Sequence, residues 1–111
     1  MKLYGLKNCD TCRRALKALQ AAGHDVALVD VRNEPIDRAD LERWHAQFGA
    51  ALLNRRSTTW RTLDEAQRQQ DPVSLLQEHP ALMKRPVVVN DAGEMSLGWD
   101  QAAQRLWSVG P

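Results

Sequence analysis

Apolar positions along the chain change period several times, and each change marks an element. Residues 2–6 hold a short apolar run, Leu3-Tyr4-Gly5-Leu6, which predicts a strand. From 10 to 22, Cys12, Ala15, Leu16, Leu19 and Ala22 recur at helical spacing, while Arg13, Arg14, Lys17 and Gln20 take the other face. Gly23 follows as a left-handed helix cap. Val26-Ala27-Leu28-Val29-Asp30-Val31 is a nearly continuous apolar run. Such a run predicts a strand covered on both faces and paired in parallel. Strand, helix and strand with short links make a right-handed βαβ unit.

Asn33-Glu34-Pro35 breaks the second strand. Asp37 is placed to cap a helix over 38–48, with Leu41, Trp44 and Phe48 as its apolar face and Gly49 at its end. Residues 50–53 read as a further helical turn, and Asn54 to Arg61 as a polar loop. A helical turn or two is expected between Leu63 and Gln69. Asp71-Pro72 opens another helix, with proline at its first position, ending at His79-Pro80. Val87 to Val89 is a β-branched strand, Asp91-Ala92-Gly93-Glu94 a hairpin turn, and 94–98 the returning strand. Residues 100–108 close the chain as an amphipathic helix with Ala103, Leu106 and Trp107 inward. The order is βαβ, a helical insert at about 37–83, then ββα. It predicts an α/β protein with a mixed four-stranded, thioredoxin-like sheet, as a single domain over 1–111.

Composition narrows this picture. The 111 residues suffice for one core without staples. A net charge of +1 argues against a general nucleic-acid-binding surface. Two cysteines do not make a secreted disulfide framework. No apolar run approaches the ~18 residues a membrane span needs, and the N-terminus lacks the apolar core of a signal peptide. The expectation is a soluble, cytoplasmic, monomeric protein with neither membrane nor direct nucleic-acid contacts. Neither a phosphate-binding glycine loop nor a dinucleotide fingerprint is present.

The candidate chemistry lies in Cys9-Asp10-Thr11-Cys12, where the first strand meets the first helix. Such a pair at such a junction reads as a thiol-redox motif. Unpaired N–H groups and the positive dipole end of the helix favour a thiolate, the reactive species. Lys7, Arg13 and Arg14 act in the same direction and Asp10 opposes them, so Cys9 is expected to have a moderately lowered pKa. Cys12 falls on the packed side of the helix and is the expected resolving thiol, or simply a small core residue. A zinc site would need two further ligands, and His24, His45 and His79 form no pair. In the 54–61 stretch Arg55, Arg56 and Arg61, with Ser57, Thr58, Thr59 and Trp60, suit either an anion-binding rim or a surface loop anchored by tryptophan. Trp99 follows the last strand and is expected at the rim of the site.

Three stretches carry a family resemblance: Leu3 to Thr11, Ala51-Leu52-Leu53-Asn54 running through Thr58-Thr59-Trp60-Arg61 to Leu63-Asp64-Glu65, and Lys84-Arg85-Pro86 before a strand. With them the chain resembles the arsenate reductase (ArsC)-like branch of the thioredoxin superfamily, in its YffB-type and Spx-related part. The resemblance implies Cys9 as nucleophile, Cys12 as possible resolving thiol, Arg85 beside Cys9, and a cis peptide bond at Pro86. It implies Asn8, Thr11, Asn54, Arg56, Trp60 and Pro86 as substrate-binding positions, where backbone before Pro86 pairs with an extended thiol peptide. Arsenate reductases of the family hold the oxyanion with three arginines. Here only Arg85 has a counterpart, because Asn54 and the region of Gly98 lack arginine. Arg55, Arg56 and Arg61 are the arginines available as substitutes. The implied activity is a thiol–disulfide oxidoreductase with glutathione as co-substrate and no bound cofactor. The alternative is a redox-responsive regulator of the Spx type that binds RNA polymerase, and arsenate reduction ranks third.

Overall fold

Lys2–Gly5 (β1), Asp10–Ala21 (α1) and Ala27–Asp30 (β2) form the expected βαβ unit in the computed structural model, which describes residues 1–109. Val87–Val89 (β3) and Met95–Leu97 (β4) complete a four-stranded mixed sheet in the order β2-β1-β3-β4. β1 pairs in parallel with β2, Leu3 opposite Leu28, and antiparallel with β3, Leu3 opposite Val88. The β3–β4 hairpin turns at Gly93, whose φ of 88° is open to glycine. Asn90 closes that turn by accepting the Glu94 N–H at 2.8 Å. With α6 (Gln101–Leu106), these elements belong to one compact unit, Met1–Asp30 and the chain from Arg85 onward. Its core joins Leu3, Cys12, Ala15, Leu19, Val88 and Trp107. Trp107 is fixed at both ends. Its buried indole N–H donates to Ser96 Oγ at 2.8 Å, and its carbonyl lies 2.7 Å from His24 Nε2.

Two expectations about this unit are corrected. β2 pairs in parallel with β1 as expected, but it is not covered on both faces: Ala27 is exposed and Leu28 and Val29 are half-buried. At the edge of the sheet an apolar run is only partly covered. Leu106 is 42 % exposed. Ala103 and Trp107 sit four residues apart and share the buried stripe, and Leu106 lies beside it, about 60° from Ala103 and about 100° from Trp107.

Val31–Lys84 forms the second unit. It contains Arg38–Phe48 (α2), Thr58–Thr62 (α3), Glu65–Arg68 (α4) and Pro72–Glu78 (α5), with 3₁₀ turns at Gly49–Leu52 and Pro80–Leu82. Leu41, Trp44, Leu52, Leu63, Val73, Leu75, Leu76, Leu82 and Met83 are buried. Asp37 stands at the start of α2, yet its side chain makes no capping bond, contrary to expectation. Its neighbour Arg38 pairs with Glu42 of the same helix and ties α2 to α5 through Asp71, Ser74 and Gln77. Asp71 caps α5 by accepting the Ser74 N–H at 3.1 Å, and Pro72 occupies the first helical turn. The 54–61 stretch is not a loop throughout. Ser57 accepts the Trp60 N–H at 3.1 Å and starts α3. The Ser–x–x–Trp spacing made that cap available, but the polar composition masked it.

Candidate active site

β1 delivers the chain to Gly5, and a tight turn leads into α1. Cys9 closes that turn by donating its N–H to the Leu6 carbonyl at 3.2 Å. Cys9 occupies the N-cap position, and its carbonyl accepts the Arg13 N–H. Both cysteines are free thiols. Cys9 is half-buried, and Cys12, one turn on, is 1 % exposed.

The two thiols are displaced in opposite directions. Burial raises Cys9, but hydrogen bonds from the Cys12 backbone N–H, the Cys12 thiol and Arg85, with the Arg85 charge, outweigh it and lower its pKa. Burial is the largest influence on Cys12. Together with the hydrogen bond and charge of Cys9 it overrides the Leu6 N–H and Arg85, and pushes the thiol up to about 11. The cation acting on Cys9 is therefore Arg85 rather than the flanking residues of the motif. Arg13 is engaged by Asp10, its exposed ion-pair partner.

Arg85 reaches this position through the sheet. Antiparallel pairing sets Val87 opposite Tyr4, so Pro86 and Arg85 run on past the end of β1 where Cys9 lies. The Arg85–Pro86 bond is cis, as the resemblance implied, and the Pro86 carbonyl accepts the Gly98 N–H at 2.9 Å. Asn8 is exposed and Thr11 half-buried in the same unit. Trp99 is half-buried and packs on the cluster that contains Cys12.

Two residues beside the motif escaped the sequence reading. Gly5 presses on Cys12, and a Cβ there would overlap Cys12 Sγ. Asp30, buried at 9 % exposure, accepts the Lys7 N–H at 3.2 Å. The available signals were a glycine inside an apolar strand and an acid inside an apolar run.

Asn54, Arg56 and Trp60 belong to the second unit. Asn54 donates to the Leu82 carbonyl at 2.7 Å and accepts the Arg56 N–H at 3.1 Å on Oδ1. Trp60 carries the Arg55 and Arg68 guanidinium groups over its ring at 5.6 and 5.4 Å. Arg56 and Arg61 are exposed. Among the described residues, no group of three or more His, Cys, Asp or Glu could hold a metal ion. Among them also, no helix is long and apolar enough to cross a membrane.

The model of the ArsC family matches residues 4–105, which include the whole cysteine motif, Arg85 and Pro86. The chain belongs to the ArsC family. An uncharacterized protein of Haemophilus influenzae strain Rd is 39 % identical over 104 residues, covering 89 % of this chain and 90 % of the relative. The solved structure of a YFFB protein superposes with a TM-score of 0.84 at 32 % identity, covering 98 % of each chain. The global transcriptional regulator Spx of Bacillus subtilis strain 168 is 25 % identical over 107 residues, covering 89 % of this chain and 79 % of Spx. The ArsC assignment accords with the mixed sheet and with a thiol-oxidoreductase-like arrangement of a strand, a Cys-x-x-Cys and a helix start.

Proposed function

We propose that this ArsC-family chain is a thiol–disulfide oxidoreductase that takes glutathione as co-substrate. The observation that supports it is the opposed displacement of adjacent thiols, Cys9 lowered and Cys12 raised to about 11. A lowered thiol at a helix start is an attacking group, and a raised, buried one waits. Cys9 thiolate attacks one sulfur of a substrate disulfide. A Cys9–S bond forms, the substrate S–S bond breaks, and the second sulfur leaves as a thiolate that takes a proton from water. Glutathione thiolate then attacks the substrate sulfur of the mixed disulfide, releasing Cys9 thiolate and forming a glutathione–substrate disulfide.

Cys12 offers an internal alternative. Its thiolate displaces the substrate thiol and leaves a Cys9–Cys12 disulfide, which two glutathiones reduce, themselves becoming oxidised glutathione. At pH 7 a thiol of pKa about 11 is ionised to only about one part in 10,000. Once Cys9 is in a mixed disulfide its charge no longer opposes Cys12, but burial, the larger influence, persists. Free glutathione therefore competes with Cys12 for the mixed disulfide.

The test is intact mass after exposure to oxidised glutathione. A glutathione adduct on Cys12→Ser, absent from Cys9→Ser, is the expected result. An unmodified Cys12→Ser protein, under conditions that oxidise an ordinary thiol, overturns the proposal.

The similarity to Spx favours a second reading, a redox-responsive regulator whose output is a binding surface. Retention of RNA polymerase by the reduced protein, lost on oxidation, supports that reading, and equal recovery in both states rejects it.

A further inference from the structure

The turn that presents Cys9 is exposed at Lys7 and Asn8, yet it is held from below by a buried acid. Asp30 ends β2, lies in register beside Gly5 of β1, and is 9 % exposed. Its Oδ2 accepts the Lys7 N–H at 3.2 Å. Lys7 sits between two backbone groups that bear on the thiols. On one side Leu6 offers its N–H to Cys12 and its carbonyl to the Cys9 N–H. On the other, Asn8 leads into the Cys9 N-cap. One bond from the neighbouring strand thus holds the peptide that links the two sulfur environments. Burying a carboxylate is costly unless hydrogen bonds satisfy it. An acid at this position, inside an otherwise apolar run, calls for such a use.

We infer that Asp30 is a positioning residue for the redox pair: through the Lys7 amide it holds the Leu6–Cys9 turn so that Cys9 Sγ meets Arg85 and the Cys12 N–H. The inference rests on Cys9 being the reactive thiol, but not on glutathione as its partner. The carboxylate serves as an acceptor at a fixed point, so an asparagine side-chain oxygen substitutes for it. Alanine does not. Water takes over the Lys7 N–H, and the turn drifts from Arg85.

Iodoacetamide alkylation of the full chain, followed by mass spectrometry across pH, tests this. In Asp30→Ala, the pH midpoint of Cys9 alkylation is expected to move up by about one unit, so that at pH values below both midpoints the reaction slows about tenfold. Asp30→Asn is expected to stay within about twofold of the wild type. Cys12 is expected to remain unmodified in all three proteins. A wild-type Cys9 no faster than an ordinary thiol removes the premise, and with it the inference. With wild-type Cys9 fast, an Asp30→Ala profile superposing on the wild type overturns the positioning role. So does simultaneous alkylation of Cys12 in Asp30→Ala, since loss of fold then explains the change. An Asp30→Asn profile matching Asp30→Ala also overturns it, because charge rather than placement would be the cause.

Discussion

Cys12 Sγ occupies the space that a side chain at Gly5 would need, so the strand and the helix meet at a sulfur–glycine contact. That contact sets how closely α1 approaches β1, and hence where the helix start carries Cys9. Gly5→Ala is expected to destabilise the fold by about 1–3 kcal/mol, the usual range for overpacking a filled core. Adding Cys12→Ala to it should recover most of that loss. Urea denaturation of the two single variants and the double variant checks the coupling, and additive losses would show that the contact is not shared.

The two thiols should separate cleanly by pH. Cys9 alkylation is expected to rise through a midpoint below that of an ordinary thiol, whereas Cys12 stays unreactive until the pH nears about 11. Stability follows the same signs. The depressed Cys9 contributes stability above the ordinary thiol pKa, and this is lost as pH falls through its folded value. The raised Cys12 contributes stability below the ordinary thiol pKa, and this is lost as pH rises through about 11. Thiolate absorbance of Cys12→Ser and Cys9→Ser, followed against pH, measures each group alone.

Arg85 supplies both a hydrogen bond and a charge to Cys9. Arg85→Met removes both and should raise the Cys9 midpoint and slow its alkylation at pH 7. Arg85→Lys keeps a cation without the planar fork, so it should fall between Met and the wild type. Equal rates in all three proteins would show that the helix start alone activates Cys9.

Ser96 is the acceptor for the buried Trp107 indole N–H. Ser96→Ala leaves that donor without its partner and should cost about 1–3 kcal/mol, while Ser96→Thr keeps the hydroxyl and should cost less. Because neither residue supplies a hydrogen bond or charge to Cys9, the Cys9 alkylation profile of the folded protein should not move. Denaturation and alkylation run side by side check both halves of this expectation.

The order of elements was legible because period, caps and turn residues are local. Helical spacing from Cys12 to Ala22 predicted α1, and Val87 to Val89 followed by Asp91–Gly93 predicted the hairpin. Thr58–Thr62 was not legible as a helix, since five polar and aromatic residues carry no period and only the Ser57 cap starts the turn. The cysteine pair was visible from its spacing and its place between a strand and a helix. That Cys12 is the buried member also followed from sequence, because Cys12, Ala15, Leu16 and Leu19 recur at helical spacing.

The sequence by itself therefore determined most of the elements, the place of the cysteine motif and which cysteine is buried, all of which depend on residues near one another in the chain. Only the tertiary structure decided what acts on those thiols. Lys7, Arg13 and Arg14 are adjacent in sequence, yet Arg85 is the cation that lowers Cys9, brought there by antiparallel pairing of β3 with β1. Asp30 reaches Lys7 through parallel pairing of β2 with β1, and Gly5 yields its space to Cys12 across the strand–helix contact. Charge and hydrogen bonding act over a few ångströms of space, and the sheet, not the chain order, brings these groups within that range.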